Sequence, residues 1–449
     1  MPKLTWSHRP YIQFRYRGED RPFICAIRPT ERGFSFDHFD RGTGKDTGYT
    51  LRLRRRFSGE WEDYPVEGST VTVNGLCDYS EYEFYLLSSD GRQSDVRLVR
   101  TGKPIGPVVN YIHPNDAAFA FSGQYYCSPS LLRLPSGRLL ASYDVFKGSA
   151  PQCLNVIFAS DDDGVTWKYL CDLFPSFWGK LFLLNGRLYM LSVAHEYGDL
   201  MIGESEDEGL TWKAPTVIEY GPGHGKSGFH RAPCVYAVAA GRIWFAVENG
   251  SWNDGGFTDC LVSAPVDSDL LDAESWTFTK PLPFDENWLG GGRAQVIEGN
   301  PFVAPDGELY VLYRNKENVS MLMRADKNDP GKQLEFIKTV ALPFAHTKFD
   351  IHKGEDGYYY AAGNECNRSG GAARNVLSFY RSKDGVNYDR IKRIIDCEDF
   401  DQKYTGFQYP SFIIEGNTVS LLSRTAYNGA ANFHDSNMIT FHRFEIPKE

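Results

Sequence analysis

Polar side chains that could act on a substrate recur at the edges of short apolar runs in this chain. Carboxyl groups stand at Asp144, Glu298 and Asp350, a phenol at Tyr409 and an amide at Gln408. Guanidinium groups stand at Arg231, Arg293, Arg314 and Arg424, and imidazoles at His195 and His230. Brought to one place, carboxyls can pass protons. Arginines can grip an anionic group through two parallel hydrogen bonds, and a neutral histidine can accept a proton near neutral pH. A buried charge without a partner is costly, so such a set implies mutual pairing or a charged ligand. Asp350, in KFDIH, lies on an apolar run where a carboxylate has no evident structural task.

The elements that must position these residues are strands. Helical periodicity is nearly absent, and short apolar runs alternate with Gly, Asp, Asn and Pro. Six pairs of runs, each joined by a turn, occupy residues 128–146, 180–198, 232–250, 300–316, 348–365 and 409–426. Each pair reads as a hairpin. A hairpin-based unit repeated in this way predicts an all-β chain with a six-bladed β-propeller over residues 106–449. The innermost strands of a propeller converge on an axial funnel, which the residues named above would face.

Residues 1–105 read as a separate unit. The strands TGYTLRLRRR (47–56), STVTVNGL (69–76) and YEFYLLSSDGRQSDVRLVRTG (82–102) are joined by tight turns, and the order resembles a fibronectin type III β-sandwich over roughly residues 8–103. GKPIGPVV (102–109) is the expected hinge.

Two turns share the pattern S-x-D-x-G-x-T-W: SDDDGVTW (160–167) and SEDEGLTW (205–212), with SKDGVNY (382–388) a shortened form. Asp162 and Asp207 can accept backbone N–H groups within the turn, Gly164 and Gly209 permit positive φ, and Trp167 and Trp212 can bury against a neighbouring sheet. The pattern resembles the Asp box of sialidases and related propellers, where it is structural.

That resemblance covers most of residues 120–445. Sialidases open on Tyr-Arg-Ile-Pro, and the matching stretch here is Tyr126-Cys127-Ser128-Pro129, with Cys127 in place of the arginine. The resemblance implies Asp144 as acid/base and Arg314 (in LYVLYRN) and Arg374 (in GAARNVLSFYRSKDG) as carboxylate-binding arginines. It implies Tyr409 (in GFQYPSF) as nucleophile, supported by Glu298. Asp350 is an equal candidate for the acid. Arg231, in GFHRAP, is the expected substitute for the missing guanidinium, with His195, His230, Gln408 and Arg424 completing the substrate-binding set.

The function implied is an exo-acting glycoside hydrolase on a terminal, acidic sugar, so the expected partner is a carbohydrate. One alternative is a polysaccharide lyase on uronic-acid glycans, with a His or Tyr base beside Arg231. A second is a glycan-binding propeller without catalysis. A net charge of −10 argues against nucleic-acid or anionic-membrane partners. Nine scattered cysteines with no CxxC pair predict neither a zinc site nor a disulfide framework, and no cofactor is expected. Phosphate cradles, nucleophile elbows and HExxH are absent. The start, MPKLTWSHRPYIQF, has no apolar signal core, and no apolar run reaches transmembrane length. The expected location is the cytoplasm, or the exterior if a leader has been removed.

Overall fold

The computed structural model describes residues 21–40, 48–147, 150–221, 227–252, 256–289, 296–315, 319–365 and 373–448. Arg293 and the first twenty residues of the expected N-terminal unit lie outside them. Strands dominate, as the β-branched and aromatic alternation demands. The helical segments described are two short turns, Ala273–Ser275 and Glu286–Leu289. No helix is long and apolar enough to cross a membrane.

Two antiparallel sheets come first. One orders its strands Phe23–Thr30, Gly33–Phe39 and Thr70–Asn74. The other orders them Glu62–Val66, Tyr49–Arg55, Glu81–Ser88 and Arg97–Arg100. Alternate residues point inward, so Phe34, Phe36, Leu51, Leu53, Phe84 and Leu86 share one core. Buried polar contacts fasten this unit to the remainder of the chain. The buried Arg97 guanidinium donates to Asp116 at 2.7 Å, and Arg28 donates to the carbonyl of Trp167.

Six further antiparallel sheets succeed these two in chain order. Each hairpin read from the sequence lies at the inner side of one of them. The pairs are Tyr125–Arg133 with Leu139–Phe146, Phe177–Leu184 with Arg187–Val193, and Tyr236–Ala239 with Arg242–Ser251. The others are Ile297–Val303 with Leu309–Arg314, Asp350–Lys353 with Tyr359–Asn364, and Gly406–Glu415 with Thr418–Ala426. We number these sheets first to sixth. The outermost strand of the sixth, Val108–Tyr111, comes from the opposite end of the unit and pairs with Met438–Glu445.

Buried polar side chains tie every sheet to the next. The Ser130 hydroxyl accepts from Leu181 N–H at 3.1 Å, joining first to second. Arg231 donates to the Trp178 carbonyl at 2.8 Å, joining third to second. Glu248 accepts from Glu298 N–H at 2.8 Å, joining third to fourth. Asn300 donates to the Phe349 carbonyl at 3.2 Å, leading into the fifth sheet, and Lys348 donates to the Pro410 carbonyl at 2.6 Å, leading into the sixth. Ser411 accepts from Leu131 N–H at 3.0 Å, which returns to the first. The circuit is complete, and it consumes several polar residues that otherwise look available to a ligand.

The S-x-D-x-G-x-T-W turns lie at outer hairpins and nearly superpose. Asp162 accepts from Thr166 N–H at 2.8 Å and Thr166 Oγ1 at 2.5 Å; Asp207 accepts from Thr211 at the same two distances. The indoles of Trp167 and Trp212 donate to the carbonyls of Gly164 and Gly209 at 3.1 and 3.0 Å. Trp167 then packs on Phe441 of the sixth sheet, with ring centroids 5.4 Å apart.

Candidate active site

Four inner strands break register at the same step. The breaks fall at Ser128, Trp178, Glu298 and Tyr409, whose φ values are 37°, 52°, 59° and 52°. Each is a bulge that re-aims a side chain. A non-glycine residue with positive φ costs about 1–3 kcal/mol and persists only where its surroundings over-determine it. Three of these four bulges are held in that way, because the ties to Trp178, Glu298 and Pro410 end on bulge backbone. The residue after Glu298 must be small. A Cβ on Gly299 would come within 2.6 Å of the Tyr313 ring and 2.7 Å of Ala246.

The bulges bring residues 111 positions apart into contact. The Tyr409 hydroxyl donates to Glu298 Oε1 at 2.7 Å. Arg314, at the end of the strand paired with Glu298, donates to Glu298 Oε2 and lies 3.3 Å from the Tyr409 hydroxyl. Burial works to raise the Glu298 carboxyl, but Arg314, His230 and the Tyr409 hydroxyl together bring it below its ordinary value. Burial, then the Glu298 charge, raises the Tyr409 phenol. Glu298 is therefore held toward its charged form and accepts a hydrogen bond from the Tyr409 hydroxyl, the geometry a general base requires.

Two more arginines face the same tyrosine. Arg424 lies with its guanidinium carbon 4.9 Å from the Tyr409 ring centroid and 4.5 Å from that of Phe146. It donates to Cys127 Sγ at 3.2 Å and to the His434 carbonyl. Arg374 donates to Gln408 Oε1, and Gln408 is the strand partner of Arg424. Burial, then Arg314, lowers the Arg374 guanidinium to about 10. His346 is lowered to about 4 by burial and by Arg374 and Arg314, so it is neutral at physiological pH.

Arg424 therefore reaches from the sixth sheet to the Cys127 sulfur of the first. Arg231 does not play that part: its Nη1 is spent on the carbonyls of Trp178 and Leu191, at 2.8 and 2.6 Å.

Asp144 pairs in register with Cys127 and is fully buried. Asn155 donates to one of its oxygens at 2.8 Å, and the other makes no hydrogen bond. Burial pushes its carboxyl well above the ordinary value, against the lowering effect of the Asn155 hydrogen bond, and so favours the protonated form. Asp350 is the opposite case. It lies 3.4 Å from the Lys348 ammonium and 3.3 Å from His352 Nε2. Burial opposes ionisation, but Lys348, Lys180 and His352 hold the carboxyl far below its ordinary value. Its neighbours favour the charged form, which suits an ion pair better than a proton donor.

His230 shares a hydrogen bond of 2.8 Å with Glu248, the residue that grips Glu298 N–H, and its ring lies 4.4 Å from that of Trp178. It supports the bulges beside the tyrosine. His195 bonds the Glu196 carbonyl of its own sheet at 2.9 Å. Sequence reasoning missed His346, and it missed Phe433 and His434, whose carbonyls hold Gln408 and Arg424. All three lie outside the strands whose periodicity was readable. Among the described residues no group of three His, Cys, Asp or Glu could hold a metal ion.

A family model described as a BNR repeat-like domain matches residues 181–421, more than half of the chain. The chain belongs to this family. Solved structures superpose on the chain. The Hadza microbial sialidase Hz136 superposes with a TM-score of 0.52 at 14% identity, covering 99% of this chain and 98% of its own. The leech intramolecular trans-sialidase, solved with 2,7-anhydro-Neu5Ac, gives 0.53 at 12% identity, covering 97% and 93%. A Dyadobacter fermentans protein of unknown function gives 0.53 at 14%, covering 77% and 99%. At these identities the likeness is one of fold. A comparison with curated protein sequences matches none of them.

Proposed function

We propose that this protein is a glycoside hydrolase that releases a terminal acidic sugar through a covalent tyrosine intermediate. In this reading residues 106–449 are a six-bladed β-propeller, its blades the six sheets, and residues 1–105 are a fibronectin III-like sandwich docked beside it. The observation that carries the proposal is the 2.7 Å hydrogen bond from Tyr409 to Glu298, with Arg314, Arg374 and Arg424 gathered around it.

A substrate carboxylate would sit among the three guanidinium groups, which offer paired donors. The Tyr409 oxygen attacks the anomeric carbon as its proton passes to Glu298. The bond to the leaving oxygen breaks, and Asp144 gives that oxygen a proton. A neutral phenol paired with a base suits such a substrate, because an attacking carboxylate would be repelled by the substrate's own. Water then displaces Tyr409 with the proton flow reversed, and the anomeric configuration is retained. The two sialidase neighbours are consistent with this chemistry.

Aryl α-sialosides, the matching neutral aryl glycosides and an acidic polysaccharide test the proposal together. Release from the sialoside, with intact-mass detection of a glycosylated Tyr409 peptide, supports it. An unsaturated product absorbing in the ultraviolet would instead make the protein a lyase, with His230 the base to examine. Binding without turnover of any of them would leave a glycan-binding propeller.

A further inference from the structure

A cavity of about 390 Å³ opens between the second, third, fourth and fifth sheets. Its walls are largely apolar, with Val235, Phe302, Ile351 and Tyr359 among them. Lys180 also lines it, 4% exposed, and makes no hydrogen bond or ion pair with any described residue.

The carboxylate closest in charge terms is already occupied. Asp350 is engaged by Lys348 at 3.4 Å and by His352 at 3.3 Å, while Lys348 also donates to Pro410 at 2.6 Å. Two buried ammonium groups therefore share one carboxylate. Lys353 adds a further cation at the rim, its ammonium 5.2 Å from the Tyr359 ring centroid. Burial lowers the Lys180 ammonium, and the shared Asp350 charge offsets this only in part, so an added anion would hold the proton on it. Here the cavity leaves room for one.

We propose that this cavity is a binding site for a small monovalent anion, a halide or a carboxylate, held by Lys180. Apolar walls strengthen the attraction by excluding water, and the anion completes a neutral cluster with Lys348 and Asp350.

Wild-type crystals soaked in bromide should show an anomalous peak within about 3.5 Å of Lys180 Nζ. A peak displaced by acetate identifies a carboxylate site; one that persists in acetate identifies a halide site. No peak, or one no stronger than those at surface lysines, overturns the proposal. In solution at constant ionic strength, the thermal midpoint of the wild type should rise saturably with bromide or acetate, as it does for a ligand of the native state. Lys180→Met and Lys180→Gln should lose that saturable component. An equal response in folded variants and wild type overturns the assignment to Lys180.

Discussion

Tyr409 and Glu298 occupy the same step of their respective sheets, the left-handed residue of a bulge, and meet hydroxyl to carboxylate at 2.7 Å. Neither would reach the other from a regular strand. The phenol is raised and the carboxyl lowered, so the proton is held on the tyrosine oxygen, and in the proposed mechanism attack and proton transfer follow one short line.

Tyr409→Phe keeps the ring against Arg424 and removes the nucleophile. Turnover of an activated aryl glycoside should fall at least about a thousandfold, while the thermal midpoint stays near that of the wild type. A folded Phe variant within tenfold of wild type would remove Tyr409 from the chemistry.

Arg424→Ala should cost roughly 2–4 kcal/mol in kcat/KM for an acidic sugar, or about 30- to 1000-fold, and little for a neutral one of the same shape. Arg424→Lys should recover little, because a point ammonium lacks the planar fork. Arg314→Ala should impair both substrates, since Arg314 also orients Glu298. If wild type prefers the neutral sugar, the clamp serves hydroxyl groups instead.

Asp162→Ala and Asp207→Ala remove turn hydrogen bonds far from the tyrosine. Each should lower stability by about 1–3 kcal/mol, seen in denaturant unfolding, with kcat and KM of the folded fraction unchanged. A fall in kcat at unchanged stability would place these turns in the site.

Asp144 gives a pH signature. Its folded carboxyl is raised above the unfolded value, so the folded state binds the proton more tightly. The stability this confers is complete below about pH 4 and is lost as the pH rises through the folded value. Asp144→Asn stays neutral throughout. Its midpoint relative to wild type should therefore be higher at pH 8 than at pH 4.5, and a difference that does not change with pH would show that Asp144 titrates normally.

Much of this architecture was legible in the chain because hairpins announce themselves locally. Apolar alternation around a Gly or Asn turn fixed the six strand pairs, and the resemblance to sialidases named Tyr409, Glu298, Arg314 and Arg374, the first three of which meet in the fold. Arg424 was named only as one of a substrate-binding set; its contact with Cys127, some three hundred residues away, was not legible, because only the closed circuit joins them. Asp350 and Arg231 show a related difficulty. A charged residue on an inner strand looks the same in sequence whether it greets a ligand or a neighbouring sheet's backbone, and here Lys348 and the Trp178 carbonyl claim them. The loop residues His346 and His434 carry no periodicity to betray them.

The four left-handed bulges have an evolutionary corollary. Their strain belongs to the backbone, and any L-residue at Ser128, Trp178, Glu298 or Tyr409 bears about the same amount. The ties from neighbouring sheets that hold the last three grip peptide groups rather than side chains. These positions thus behave as sockets: the scaffold fixes where a side chain is presented and is nearly indifferent to which one it is. A lineage can exchange the chemistry plugged into them, or move a charge from one sheet to another, while the architecture stays intact. Sequence likeness of 12–14% alongside a shared fold is the drift such a design tolerates.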